Sequence, residues 1–188
     1  DRIVLAMDIH LTSTGKLGNV AFSNAIIRVS KNHRYETQDM HNDPVYRGAH
    51  RMVKTLNHSN PLVVGTLDSH NVVAYLMILM NVEVGNRLTR GIFRSVHTDQ
   101  SSDAMTEATT SCRASDNTKR FISMWKYTNS AYTSFEDDIG HELIGSIGST
   151  RYTQTTSPIR RMVDLVNMAS IQCTLGLTSH NISTDRFI

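Results

Sequence analysis

Residues 72 to 89 limit the fold more than any other stretch. Val72, Val73, Leu76, Met77, Ile78, Leu79, Met80, Val82 and Val84 fall within a single helix-length stretch free of Gly and Pro up to Val84, bounded upstream by Asp68 and Ser69. Either of those two residues makes a good N-cap. Val73, Leu76, Met77, Met80 and Val84 share one helical face, and Ile78 and Leu79 widen it. A helix that is apolar nearly all round must be buried. The longest apolar run within it, Val72 to Met80, is too short to span a bilayer. The rest of the chain therefore has to supply a coat for this helix. With 39% hydrophobic residues among 188, it has the apolar mass of one ordinary domain.

The coat reads as a mixture of strands and helices. Ile3 to Leu11 and Asn19 to Val29 are β-prone runs separated by a turn over Thr12 to Gly18, which predicts a β-hairpin. Thr37 to Asn57 is helical in pattern and restarts near Asp43-Pro44, with Val45, Ala49, Met52, Val53 and Leu56 on one face. Leu62 to Thr66 is a short strand or a connection, and Ile92 to Val96 a short strand. Residues 97–118 are dominated by Ser, Thr and Asp and read as a polar surface loop. Arg120 to Thr133 reads as a helix, and Leu143 to Ile147 and Arg151 to Thr153 as extended pieces. A last helix is expected from Pro158 to about Leu175, with Ile159, Met162, Val163, Val166, Ala169 and Cys173 buried and Gly176 as its stop. The fold class is α+β.

Net charge is +2 with neutral histidines, so any polyanion contact must be local. The two cysteines, Cys112 and Cys173, match no metal or redox spacing and read as buried thiols of a reducing compartment, cytoplasmic or similar. No segment predicts a membrane partner. The chain begins at Asp1 within an apparent strand, which predicts a fragment.

The local polyanion contact has one clear candidate. In Tyr152-Thr153-Gln154-Thr155-Thr156-Ser157-Pro158-Ile159-Arg160-Arg161, Ser157 reads as an N-cap and Pro158 as the first helical residue. Two arginines follow where the helix dipole disfavours cations. Free backbone N–H groups, hydroxyls of Thr155, Thr156 and Ser157, and two guanidiniums converge there, which suits a phosphate. The alternative is a solvated helix end with an Arg160–Asp164 surface pair, worth only about 0.2–0.5 kcal/mol.

The same residues resemble the signature of the RNB exoribonucleases, the ribonuclease II and ribonuclease R-like family. That signature reads approximately Tyr-Thr-His-Phe-Thr-Ser-Pro-Ile-Arg-Arg-Tyr-x-Asp-Leu. Tyr152, Thr153, Thr156 to Arg161, Asp164 and Leu165 match in place, while Gln154, Thr155 and Met162 depart from it. Weaker likenesses follow in family order: Arg34-Tyr35-Glu36, the helix from Asn71 to Asn81, Gly91 to Arg94, and His141-Glu142-Leu143 with Gly145.

The resemblance implies that residues 1–188 form the C-terminal portion of an RNB-like catalytic fold, with strands packed on long helices. It implies hydrolysis of single-stranded RNA from the 3′ end to 5′-mononucleotides by a two-metal mechanism using Mg2+. Arg160 then aligns with the catalytic arginine, stabilising phosphate charge. Thr156, Ser157 and Arg161 bind RNA or phosphate. Tyr35 stacks on the terminal nucleotide, a core or surface tyrosine being the alternative. Tyr75 stands where the family has a ribose-side Glu and is grouped with the RNA-binding residues. Tyr152, Pro158 and Asp164 give structural support, with Tyr152 packed beneath the loop. The family's aspartate cluster has no counterpart, so no metal ligand is assigned in this chain. Partners are RNA and the missing N-terminal part of the domain or another chain. Glu136-Asp137-Asp138 reads as a solvated turn. The departures at Tyr75, Met162 and Met168 fit a second reading: a degenerate, non-catalytic subunit acting in RNA binding or assembly.

Overall fold

The computed structural model describes residues 1–98, 128–137, 140 and 151–178. Strands β1 (Arg2–Leu11) and β2 (Leu17–Ile27) form an antiparallel hairpin, with Ile3 opposite Ile26 and Met7 opposite Phe22. Its turn closes because Gly15 takes φ +76°, a conformation that L side chains avoid. Helices α1 (Gln38–Asn42), α2 (Pro44–Ser59) and α3 (Ser69–Arg87) follow. Strands β3 (Phe93–Thr98) and β4 (Thr128–Thr133) pair antiparallel, and α4 runs from Met162 to Thr174. The chain is mixed, two small sheets with four helices among the described residues, which fits the α+β class.

Helix starts follow local chemistry. Asp43 accepts hydrogen bonds from the N–H groups of Val45 (2.8 Å) and Tyr46 (3.2 Å), with Pro44 as the first residue of α2. Asp68 does the same for α3, accepting from Asn71 N–H at 2.8 Å. Glu36 adds a second carboxylate at that end: its Oε1 accepts from the Ser69 N–H (2.7 Å) and from the Ser69 hydroxyl. α4 stops in a Schellman turn, with Gly176 at φ +66° and Leu177 N–H donating to Gln172 O at 2.8 Å.

These carboxylates contribute to the acid sensitivity of the fold. Hydrogen bonds from Ser69, its hydroxyl first, hold Glu36 below the usual carboxylate range, and those from Tyr46 and Val45 N–H do so for Asp43. A depressed folded-state pKa contributes stability that is full above the unfolded value, about 3.9 for Asp and 4.3 for Glu, and is lost as pH falls through the folded one. Melting temperatures recorded from pH 5 to pH 3 are therefore expected to fall less steeply in Asp43→Asn than in the wild type. Parallel curves would remove this role.

α3 is the axis of the core. Its Val72, Tyr75 and Leu79 pack with Val53 and Leu56 of α2 and, from the hairpin, Met7 and Ile9. Farther along, Val84 joins Leu88, Phe93 and Ile171, with Leu5 and Phe22 alongside. Val82 meets Tyr152. The buried-helix expectation holds, but the buried face is turned. Val73 (48% exposed) and Met77 (36%) look outward, whereas Tyr75 is 1% exposed. The reason is the coat: α2 and the hairpin approach the Val72–Tyr75–Leu79 side, and an almost uniformly apolar helix has no polar stripe to fix its rotation. On α2, Val53 and Leu56 are buried as expected, but Val45 is 79% exposed in the first turn.

Two boundaries are corrected. His97 and Thr98 belong to β3, not to the polar loop, and residues 128–133 form β4 rather than the end of a helix. Thr128, Thr133 and Tyr132 are β-prone, and pairing with β3 overrides the helical spacing. The remaining polar-loop residues, most of the Arg120 to Thr133 helix, Leu143 to Ile147, His141-Glu142-Leu143 with Gly145, Asp138 and Cys112 lie outside the described residues. Glu136 and Asp137 are exposed in a bend, as expected of a solvated turn. Cys173 is half-buried rather than buried. No helix among the described residues is long and apolar enough to cross a membrane.

Candidate functional site

The segment from Tyr152 to Thr155 is buried and threaded between α3 and α4. Two asparagines hold it there. Asn81, 1% exposed on α3, donates from Nδ2 to the Tyr152 hydroxyl (2.8 Å). Its Oδ1 accepts from both the N–H and the hydroxyl of Thr155, each at 3.0 Å. Its carbonyl accepts from the Thr153 hydroxyl at 3.1 Å. Asn167, fully buried on α4, donates to Gln154 O (3.1 Å) and Ile92 O (2.8 Å) and accepts from Ile92 N–H (2.8 Å). Tyr132 on β4 donates to Gln154 Oε1 at 2.7 Å, and Arg94 N–H of β3 donates to Tyr152 O at 2.8 Å. Polar side chains in this setting are satisfied, as burial demands. Burial pushes the Tyr152 phenol up, against the lowering effect of the Asn81 donor. Tyr152 is buried against Val82 and Asn81 of α3.

The backbone fit is equally close. A Cβ added at Gly85 of α3 would lie 2.9 Å from Arg151 O and 3.2 Å from its carbonyl carbon. Backbone cannot swing aside as a flexible side chain does. Gly85→Ala is expected to destabilise the protein by about 1–3 kcal/mol, read from chemical denaturation, despite alanine's better helix propensity. A stabilised variant would mean that α3 and the signature segment are not in contact.

The loop then departs from the expected helix start. Ser157 is not an N-cap, and Pro158 is not the first helical residue. Residues 157–161 form a turn, with Arg160 N–H (3.2 Å) and Arg161 N–H (3.1 Å) both directed at Ser157 O. α4 begins only at Met162, with Arg161 as its cap residue and no side-chain capping bond. The anion at this helix start is the protein's own. Asp164, fully buried in the first turn, accepts from Ser157 N–H at 2.8 Å and from Arg161 Nη2 at 2.7 Å. Arg161 Nε and Asp164 Oδ2 are also 2.7 Å apart, but out of line for a hydrogen bond, so this second contact is ionic. A carboxylate in the first turn is favoured by the helix dipole. The expected burial of the helix is correspondingly rotated. Ile159 (97% exposed) and Met162 (65%) face outward, while Asp164, Asn167 and Ser170 are buried with Val166, Ala169 and Ile171. The paired carboxylate and the Asn167 clamp draw the polar face inward.

The candidate residues therefore divide. Asp164 and Tyr152 support the loop, and Pro158 lies in its turn. Arg161 is ion-paired with Asp164, a structural engagement that the phosphate reading did not include. Arg160 is exposed, and its guanidinium has no hydrogen bond or ion pair among the described residues. Ser157 has its N–H committed to Asp164. Thr156 Oγ1 is buried beside it without a hydrogen-bond partner among the described residues. Tyr75 is corrected outright: it lies in the core, its hydroxyl 3.4 Å from Asn60 O, and burial pushes its phenol up to about 12. Tyr35 is 49% exposed and stacks on His70 with centroids 3.8 Å apart. No ring contact or hydrogen bond joins it to the Arg160 turn among the described residues. No pattern in the sequence singles out Asn167, and only its clamp on Ile92 and Gln154 reveals its role. Asn81 had a signal, a lone carboxamide closing an apolar run.

No protein-family model matches the chain, and no curated protein matches it.

Proposed function

We infer that this chain supplies the phosphate-gripping arginine of a 3′→5′ exoribonuclease that cuts single-stranded RNA to 5′-mononucleotides. The reading rests on the resemblance of the Thr156 to Arg161 signature and on one structural observation. Arg160 is an exposed guanidinium without a partner among the described residues, on a turn whose flanks are pinned by Asn81, Asn167 and Asp164. An unpaired guanidinium on a pinned turn is available to meet charge that grows on a phosphate oxygen, and its fork matches two such oxygens. Tyr35 offers a face for a base beside its His70 neighbour.

Magnesium is implied by the resemblance. Among the described residues, no group of three or more His, Cys, Asp and Glu side chains is arranged to hold a metal ion. The described residues do not fit the ion, and no step runs through it.

The second reading, a non-catalytic RNA-binding or assembly module, is favoured by the burial of Tyr75 away from any ribose and by the engagement of Arg161 with Asp164. The test incubates the complete polypeptide with single-stranded RNA labelled at its 3′ end in magnesium buffer. Labelled 5′-mononucleotide that disappears in Arg160→Ala supports the enzyme. RNA retained intact but bound in an Arg160-dependent manner supports the module.

A further inference from the structure

A second recognition surface lies away from the signature turn. An open cleft of about 880 Å³ sits between the hairpin turn, the C-terminal half of α2 and the segment leading to α3. Its floor is the α2 face that carries His50, Lys54 and His58, at intervals of four residues, so that they stand one above another along the helix. Its walls are two glycine turns. Gly15, at φ +76°, sits so close to α2 that an added Cβ would lie 2.5 Å from Thr55 Cγ2, and Gly65 takes φ +93°. His50 Nε2 is 3.0 Å from Leu67 O, which ties the far wall to the helix. The carbonyl only accepts, so Nε2 carries the proton of that bond.

The charge pattern is one-sided. Among the described residues, no Asp or Glu lines the cleft. Lys54 and His58 are exposed and have no ion pair or hydrogen bond among the described residues. Some basic groups nearby are matched, Arg28 with Asp1, Lys31 and His33 with Asp39, and His41 with Glu36, but the two that line the cleft floor are not. Lys54 lies more than a turn before the carbonyl end of α2, beyond the reach of its dipole. An unmatched ammonium, an imidazole and the Ser59 hydroxyl are donors for one compact anion. The remaining space is of the size that holds a small organic molecule rather than an ion alone.

We propose that this cleft binds the phosphate of a small phosphomonoester, with Lys54 and His58 gripping the phosphate and the organic part lying towards Gly65 and Leu67. The proposal is independent of the Arg160 turn. The test follows the His58 ring resonances of the complete polypeptide by NMR at constant ionic strength. Glucose 6-phosphate, inorganic phosphate and glucose are titrated in turn.

Glucose 6-phosphate is expected to move His58 saturably, more tightly than inorganic phosphate, while glucose does not. Lys54→Gln is expected to weaken binding about tenfold, the loss of one charge-assisted contact, and Arg160→Ala to leave it unchanged. Lys54 is exposed, so the variant keeps its melting temperature. Shifts that grow linearly without saturation, equal affinity for inorganic phosphate, or indifference to Lys54→Gln would overturn the proposal. So would single-stranded RNA that displaces the sugar phosphate and binds more tightly, since the cleft would then be part of an RNA path.

Discussion

Asp164→Ala is expected to destabilise the protein by about 3–5 kcal/mol, because removing one partner of a buried ion pair leaves the other charge uncompensated. The carboxylate is fully buried and serves three contacts, the Ser157 N–H and two nitrogens of Arg161. Urea denaturation at pH 7 reads the loss as a lower midpoint with an unchanged slope. Asp164→Asn keeps an acceptor for Ser157 and should lose less. Arg161→Ala in the Asp164→Ala background should add little, since the pair is already broken, and that coupling is the signature of one unit. Equal and additive effects of the two substitutions would show that the pair does not hold the turn.

Arg160→Ala carries the opposite signature. It is expected to reduce turnover of single-stranded RNA by about 10²–10³, the scale for removing one transition-state donor. Its side chain is exposed and unpaired among the described residues, so stability should change by no more than about 0.5 kcal/mol. Arg160→Lys keeps the charge but not the planar fork, and should recover only part of the rate. The two neighbouring arginines are thereby separated: Arg160 in rate without stability, Arg161 in stability first. A loss of folding in Arg160→Ala, or full turnover without that guanidinium, would remove it from the site.

What could be read along the chain and what could not divide by physical range. The hairpin was legible because its signals, β-prone runs and a Gly-containing turn, are local. The helix starts at Asp43 and Asp68 and the stop at Gly176 were legible for the same reason, since a cap bonds within a few residues of itself. The strand at 128–133 was not, because its partner is β3, far back in sequence. Nor was the rotation of α3, where apolar residues on every side left the choice to whichever neighbours packed against it. At the signature turn, the sequence determined the residue set but not its division of labour. Cap preferences made Ser157 and Pro158 a helix start, and two arginines a matched pair of phosphate ligands. The tertiary structure sent Asp164 inward to occupy that position, took Arg161 as its counter-ion and left Arg160 outside. A carboxylate that must be buried takes the nearest cation and N–H with it, and which of two adjacent arginines that is depends on the packing of α4, not on their order in the chain.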